Sequence, residues 1–158
     1  MAARRALHHH GRQPDTAPAM QALIYTSVAE PALTDAELEV VLLKSRTLNA
    51  MRGITGALLK RGPDIVQYLE GEAPALDRTL ASITASPLHR GISLHARVDG
   101  VTRLFDRWHM GFCDLHSLHS RGVATTEWWH ALADVHAAAP GNEPARLLLA
   151  RWQALAAD

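Results

Sequence analysis

The sequence predicts an α+β domain of the ferredoxin-like β-α-β-β-α-β plan. One extra strand is added, two helices lie on one face of the sheet, and C-terminal helices lie on the other. Three observations carry this expectation. Short apolar runs bounded by turn residues alternate with segments of helical period in that order. Thr34 and Glu37 stand in capping-box spacing ahead of the first helical segment, and Pro74 suits the first turn of the second. Beyond about residue 115 the chain carries only helical patterns, which can cover the second face of the sheet.

The elements follow in order. Gln21 to Ser27 is a short apolar run suited to a buried strand. Leu38, Val41, Leu42 and Leu48 recur at helical intervals, so a helix is predicted from Asp35 to Leu48 or Asn49, stopping before Gly53. Ile54 to Lys60 and Ile65 to Glu70 read as a hairpin around Arg61-Gly62-Pro63-Asp64, with Gly71 breaking the second strand. Leu76, Leu80 and Ile83 mark one face of a helix that ends near Ser86-Pro87. Ser93 to Val101 and Phe105 to Phe112 are two more predicted strands joined by a short turn. Thr126 to Ala138 and Glu143 to Ala157 are the closing helices, separated by Pro140-Gly141, with Asn142 able to cap the last one. Trp128, Trp129, Leu132 and Val135 form the apolar stripe of the first of these.

Composition bounds the function classes. The chain has 158 residues, of which 47% are hydrophobic and 20% charged, a globular balance. Its 16 basic and 16 acidic side chains cancel, which weighs against a nucleic-acid binder. Cys113 is the only cysteine, so neither an internal disulfide nor a cysteine-based zinc finger is available. No apolar run approaches the ~18 residues of a membrane span, and residues 1 to 19 lack the apolar core of a secretory signal. A soluble cytoplasmic protein with a disordered N-terminal tail is expected. His8, His9 and His10 in that tail, and His116 with His119, lack the partners a metal site needs.

Dinucleotide-binding glycine fingerprints, P-loops and nucleophile elbows are all missing from the sequence. The unusual residues are polar ones inside apolar strands. Gln67 is bracketed by Ile65, Val66, Tyr68 and Leu69, and Tyr25 sits similarly between Leu23-Ile24 and Thr26-Ser27. Alternation places Gln67 on one face with Ile65 and Leu69. A buried carboxamide must find partners, because leaving it unpaired costs about 1–3 kcal/mol. It either satisfies a nearby backbone group or faces a ligand. Asn49 is likewise either a helix C-cap or a ligand contact. Trp108 and Met110, at alternate positions of the last predicted strand, share a face and fill the core on the simplest reading.

Four pieces of the chain together resemble the BLUF family of blue-light sensors that use FAD. They are Ile24-Tyr25-Thr26-Ser27, Asn49-Ala-Met-Arg-Gly-Ile-Thr-Gly56, Val66-Gln67-Tyr-Leu-Glu-Gly71 and Trp108-His-Met-Gly-Phe112. The resemblance covers about Ala22 to Leu115. It implies a photosensory domain over residues 20–115, flanked by the tail and by capping or oligomerisation helices over 116–158. It also implies a flavin, FAD, held between the two helices. Tyr25 matches the photochemical tyrosine, and Gln67 the switching glutamine that bridges it to the flavin. Asn49 matches the ring-binding asparagine. Ile24, Arg52, His89 and Arg90 are further cofactor contacts on the same reading, with the two arginines as phosphate partners. Trp108 and Met110 match the residues that transmit the switch.

The chain departs from the family pattern at Leu48, where many members have a second polar residue. It departs again where Ser82, Ser86 and Leu88 replace charged residues, leaving only His89. The short type of BLUF protein implies self-association and a separate downstream partner, with no nucleic acid or membrane bound and no enzyme activity. Two other readings stand beside it. One is a BLUF-like interaction module without flavin. The other is a ferredoxin-like hydrolase, for which no anion-binding loop is found.

Overall fold

The computed structural model describes residues 19–31, 34–106, 108–114 and 133–156. Residues 1–18 of the expected N-terminal tail, both histidine groups, Trp128, Trp129 and Leu132 lie outside the described residues. The chain runs β1 (Met20–Ala29), α1 (Asp35–Arg52), β2 (Thr55–Arg61), β3 (Asp64–Glu72), α2 (Ala73–Ala85), β4 (His89–Asp99) and β5 (Gly111–Asp114). A helical stretch over 133–138 and a final helix, α3 (Glu143–Ala156), complete it. The five strands form one sheet in the order β4-β1-β3-β2-β5. Only the β2–β5 pair is parallel.

Local chemistry sets the limits of these elements. Thr34 caps α1 reciprocally: its hydroxyl accepts from the Glu37 amide at 3.2 Å, and the Glu37 carboxylate accepts from the Thr34 amide at 2.8 Å. At the other end Gly53 takes the left-handed conformation (φ 67°), so the helix runs on to Arg52, past the predicted stop. Asn49 therefore lies within the helix and is not its cap. Gly71 does not break β3. A side chain there would meet the Ile54 Cδ1 at 2.5 Å, so the glycine allows β3 to pass close beneath that residue.

Alternation along the strands separates two cores. On one face Leu23, Tyr25 and Leu69 pack with Leu42 of α1 and Ala75 and Leu76 of α2. On the other, Ala22, Ile24, Ala57, Leu59, Val66 and Tyr68 pack with Val135 and with Ala145, Leu148 and Trp152 of α3. The covering role expected of the C-terminal helices is fulfilled by these residues. Asn142 caps α3 as predicted, accepting from the Ala145 amide at 3.1 Å.

The predicted strand from Phe105 to Phe112 is largely absent. The amides of Leu104 and Phe105 donate to the Glu70 carboxylate instead of to a neighbouring strand, and Trp108 folds back to stack on Phe105. Regular pairing starts only at Gly111. The last two strands therefore form no hairpin: β4 lies at one edge of the sheet beside β1, and β5 at the other beside β2. No described helix is long and apolar enough to cross a membrane.

Candidate functional site

Between α1 and α2, above the face of the sheet that carries Tyr25 and Gln67, lies a cavity of about 340 Å³. This is at the small end of ordinary ligand pockets, which span roughly 300–1,000 Å³. Its walls are mainly apolar, from Leu38, Val41, Leu42 and Leu48 of α1, Leu58 and Ile65 of the sheet, and Ile83 and Leu88 on the α2 side. Lys44, Arg52 and His89 line it as well, together with the hydroxyls of Ser45, Thr79, Ser82 and Ser86. No carboxylate lines it among the described residues. Nor do the described residues gather 3 or more His, Cys, Asp or Glu side chains as a metal site.

The floor follows from strand register. Tyr25 and Gln67 are directly opposed in the antiparallel β1–β3 pair, so their side chains emerge together on the same face. The Tyr25 hydroxyl donates to the Gln67 Oε1. Burial pushes the Tyr25 phenol well above its ordinary range, which keeps it a hydrogen-bond donor. The second half of the carboxamide is used too: Gln67 Nε2 donates to the Met110 Sδ at 2.9 Å. Gln67 is 2% exposed, and every polar atom of its side chain that is buried has a partner.

Asn49, buried at 3% exposure, reaches from α1 to the same region and donates to the His109 carbonyl at 2.6 Å. Arg46 Nε donates to the Met110 carbonyl at 3.1 Å, so α1 holds the approach to β5 at two successive residues. Arg52 extends toward α2, with Thr79 Oγ1 at 3.4 Å and Ser82 Oγ at 3.5 Å. His89 Nδ1 lies 2.8 Å from the Ser27 hydroxyl, with its ring 6.3 Å from that of Tyr25.

Of the residues singled out from sequence, the fold brings Tyr25, Asn49, Arg52, Gln67, His89 and Met110 together around this cavity. Ile24 points to the opposite core, as alternation with Tyr25 demands. Arg90 is 61% exposed and pairs with Glu30 at 3.6 Å, away from the cavity. Trp108 does not share a face with Met110, because the chain between them is not a strand. Its ring packs with Phe105 and against Gly111 on the other side, where a Cβ on that glycine would approach it to 2.4 Å. Sequence reading missed Glu70. A charged residue inside Val66-Gln67-Tyr68-Leu69-Glu70 was the signal that could have found it.

His89 gives a pH-dependent expectation. Burial holds its imidazole below the ordinary value of about 6.5. The folded state therefore favours the neutral ring. Above the ordinary value neither state is protonated and this contribution is complete. As pH falls through that value the unfolded chain takes up the proton first, and stability declines until the lowered folded value is passed. Urea midpoints measured from pH 8 to pH 5 should fall across this window, and His89→Gln should flatten that part of the curve. Identical slopes in both proteins would dismiss His89 as the source.

Comparison with known proteins agrees with this geometry. The family profile of sensors of blue-light using FAD (BLUF) matches residues 20–111. The photoactivated adenylate cyclase subunit alpha of Euglena gracilis is 32% identical over 93 residues, covering 58% of this chain and 9% of its own. Among solved structures, the dark state of BlrB, a BLUF protein, superposes with a TM-score of 0.61 at 30% identity, covering 65% of this chain and 78% of that one. A bacterial light-regulated adenylyl cyclase gives a TM-score of 0.60 at 28% identity, covering 61% of this chain and 29% of that one. The chain thus spans less than a third of either cyclase. It belongs to the BLUF family of blue-light flavin sensors.

Proposed function

We propose that this chain is a blue-light photoreceptor that binds FAD noncovalently between α1 and α2 and signals through a reversible Tyr25–Gln67–flavin hydrogen-bond switch. The observation that carries this reading is the cavity floor. A buried phenol and carboxamide are directly opposed across two strands, at the base of a slot that is otherwise apolar.

The lining suits a flavin. A planar heteroaromatic ring needs apolar walls and a few donors and acceptors at its edge, which Gln67 and Asn49 offer. A phosphate-bearing tail needs cations and hydroxyls without competing carboxylates, the set that Lys44, Arg52, His89, Ser82 and Ser86 make. When bound, flavin supplies the absorption of blue light and an excited-state electron acceptor. Tyr25, kept protonated by burial, is the residue able to give up an electron and a proton there.

Gln67 is the element with two arrangements. In the present one its oxygen accepts from Tyr25 and its nitrogen donates to Met110. Rotation by a half-turn, or tautomerisation, exchanges donor for acceptor on a single planar group and so inverts both contacts. In a buried site that exchange carries more energy than it would in water. The flavin is returned unchanged, so light shifts a protein equilibrium and no substrate is consumed.

In this scheme residues 20–115 are the photosensory unit, and the helices beyond are the output, acting on a second copy or a separate protein. The test is an absorption spectrum of the purified protein before and after blue light, with recovery followed in the dark. A flavin spectrum that moves slightly to the red and returns is expected. A protein that remains colourless after incubation with FAD sinks the proposal.

A further inference from the structure

On the face of β3 turned away from Gln67, Glu70 is fully buried, at 0% exposure. Its Oε1 accepts from Thr55 Oγ1 at 2.9 Å and from the Phe105 amide at 2.7 Å. Its Oε2 accepts from Tyr68 Oη at 3.1 Å and from the Leu104 amide at 2.9 Å. Both oxygens act only as acceptors, a role a carboxylate fills and a carboxamide cannot. Burying a carboxylate costs several kcal/mol unless such partners surround it, so a charge placed here for packing alone would be unfavourable.

What Glu70 holds is the segment that reaches the cavity. Leu104 and Phe105 begin it. Phe105 accepts from the Trp108 amide at 3.1 Å and stacks on that residue's ring, and the Trp108 carbonyl is held by the Gly56 amide at 2.9 Å. His109 and Met110 follow at once, with their carbonyls bound by Asn49 and Arg46 and the Met110 sulfur bound by Gln67. On its other side Glu70 is joined to α3: Tyr68 Oη, which donates to Glu70, accepts from Asn142 Nδ2 at 2.9 Å, and Asn142 caps that helix.

We propose that Glu70 is a positioning residue for the switch. It fixes the segment from Leu104 to Met110 so that the Met110 sulfur meets Gln67, and through Tyr68 it ties that segment to the cap of α3. A turn of Gln67 removes the partner of the Met110 sulfur. The loosened segment then shifts, Glu70 is no longer held against a fixed partner, and the loss of restraint reaches the first turn of α3 along the Tyr68–Asn142 hydrogen bond. The relay rests on the photosensor reading above, but the clamp does not.

The two parts separate by amide hydrogen exchange of the full chain, in the dark and under blue light, for wild type, Glu70→Gln and Tyr68→Phe. In the dark, Glu70→Gln should speed exchange at Leu104 and Phe105 by about tenfold or more, the expected scale for losing charge-assisted bonds. Tyr68→Phe keeps both of these amides bonded and should leave their dark exchange near wild type. In light, exchange at the first turn of α3 should rise in wild type, and Tyr68→Phe should abolish that rise while the flavin shift persists. A folded Glu70→Gln protein with unchanged dark exchange overturns the clamp. A Tyr68→Phe protein with a normal flavin shift and a normal α3 response overturns the relay. Wild type that fails to take up flavin or to shift overturns the photosensor reading and the relay with it, while the dark comparison still decides the clamp. If Glu70→Gln does not fold, Glu70→Asp, whose shorter carboxylate withdraws from both amides, replaces it: unchanged dark exchange at Leu104 and Phe105 overturns the clamp, and Tyr68→Phe still decides the relay.

Discussion

Gln67→Leu is expected to abolish the light-induced red shift while flavin remains bound. Leucine occupies nearly the same volume and stays compatible with the apolar neighbours of Gln67 on β3. It leaves the Tyr25 hydroxyl without its acceptor and the Met110 sulfur without its donor. The first loss also has a stability cost, about 1–3 kcal/mol for a buried hydroxyl deprived of its partner, lowered if the phenol turns toward the flavin edge. The optical effect is all or nothing, because an aliphatic group has no donor and acceptor to exchange. Difference spectra of dark and illuminated protein measure it directly. A Gln67→Leu protein with the full shift would remove Gln67 from the mechanism. Tyr25→Phe is the companion variant: it should retain flavin in the dark and lose the shift through the absent phenol instead.

Gly56→Ala should be the most damaging small substitution in the sheet. A Cβ at that position would lie 2.0 Å from the Tyr68 carbonyl oxygen, a backbone atom that cannot rotate aside. β2 and β3 must then separate. β3 carries Gln67 toward the cavity and Glu70 toward the other core. We expect a loss at the upper end of the overpacking range, about 3 kcal/mol or more, with weakened flavin binding. Gly62→Ala is the control. Gly62 has φ 55° and nothing within 4 Å, so alanine meets only the cost of the left-handed conformation, about 1 kcal/mol. Urea unfolding of the two variants measures both costs. A Gly56→Ala midpoint equal to that of Gly62→Ala would show that the strands can part freely.

The site was legible from sequence to the extent that its chemistry sits within single elements. A glutamine and a tyrosine inside apolar strands announce themselves because burial without a partner is costly, and alternation assigns each a face. The same alternation places Ile24 opposite Tyr25, so its assignment to the cofactor ran against information already in the strand. Glu70 was equally exposed to inference, as a charge within an apolar run, but its partners are not. Thr55 lies on β2, Leu104 and Phe105 beyond β4, and Asn142 ahead of α3.

Trp108 and Met110 mark the boundary most clearly. Their spacing fits a strand, and a strand would put them on one face. Periodicity describes a residue's direction only while the backbone stays regular, and here buried Glu70 takes the Phe105 amide while the Trp108 amide turns back to the Phe105 carbonyl. By itself the sequence determined the order of elements, the caps at Thr34 and Asn142, the two faces of β1 and β3, and the residue types at the floor of the cavity. Tertiary structure alone decided that Tyr25 stands opposite Gln67, that β5 joins the edge of β2 instead of β4, and that one buried carboxylate holds the segment between them. The reason is physical. Caps and face alternation arise from contacts a few residues apart, whereas register, strand order and the partners of a buried charge are settled by which distant groups can satisfy one another once water is excluded.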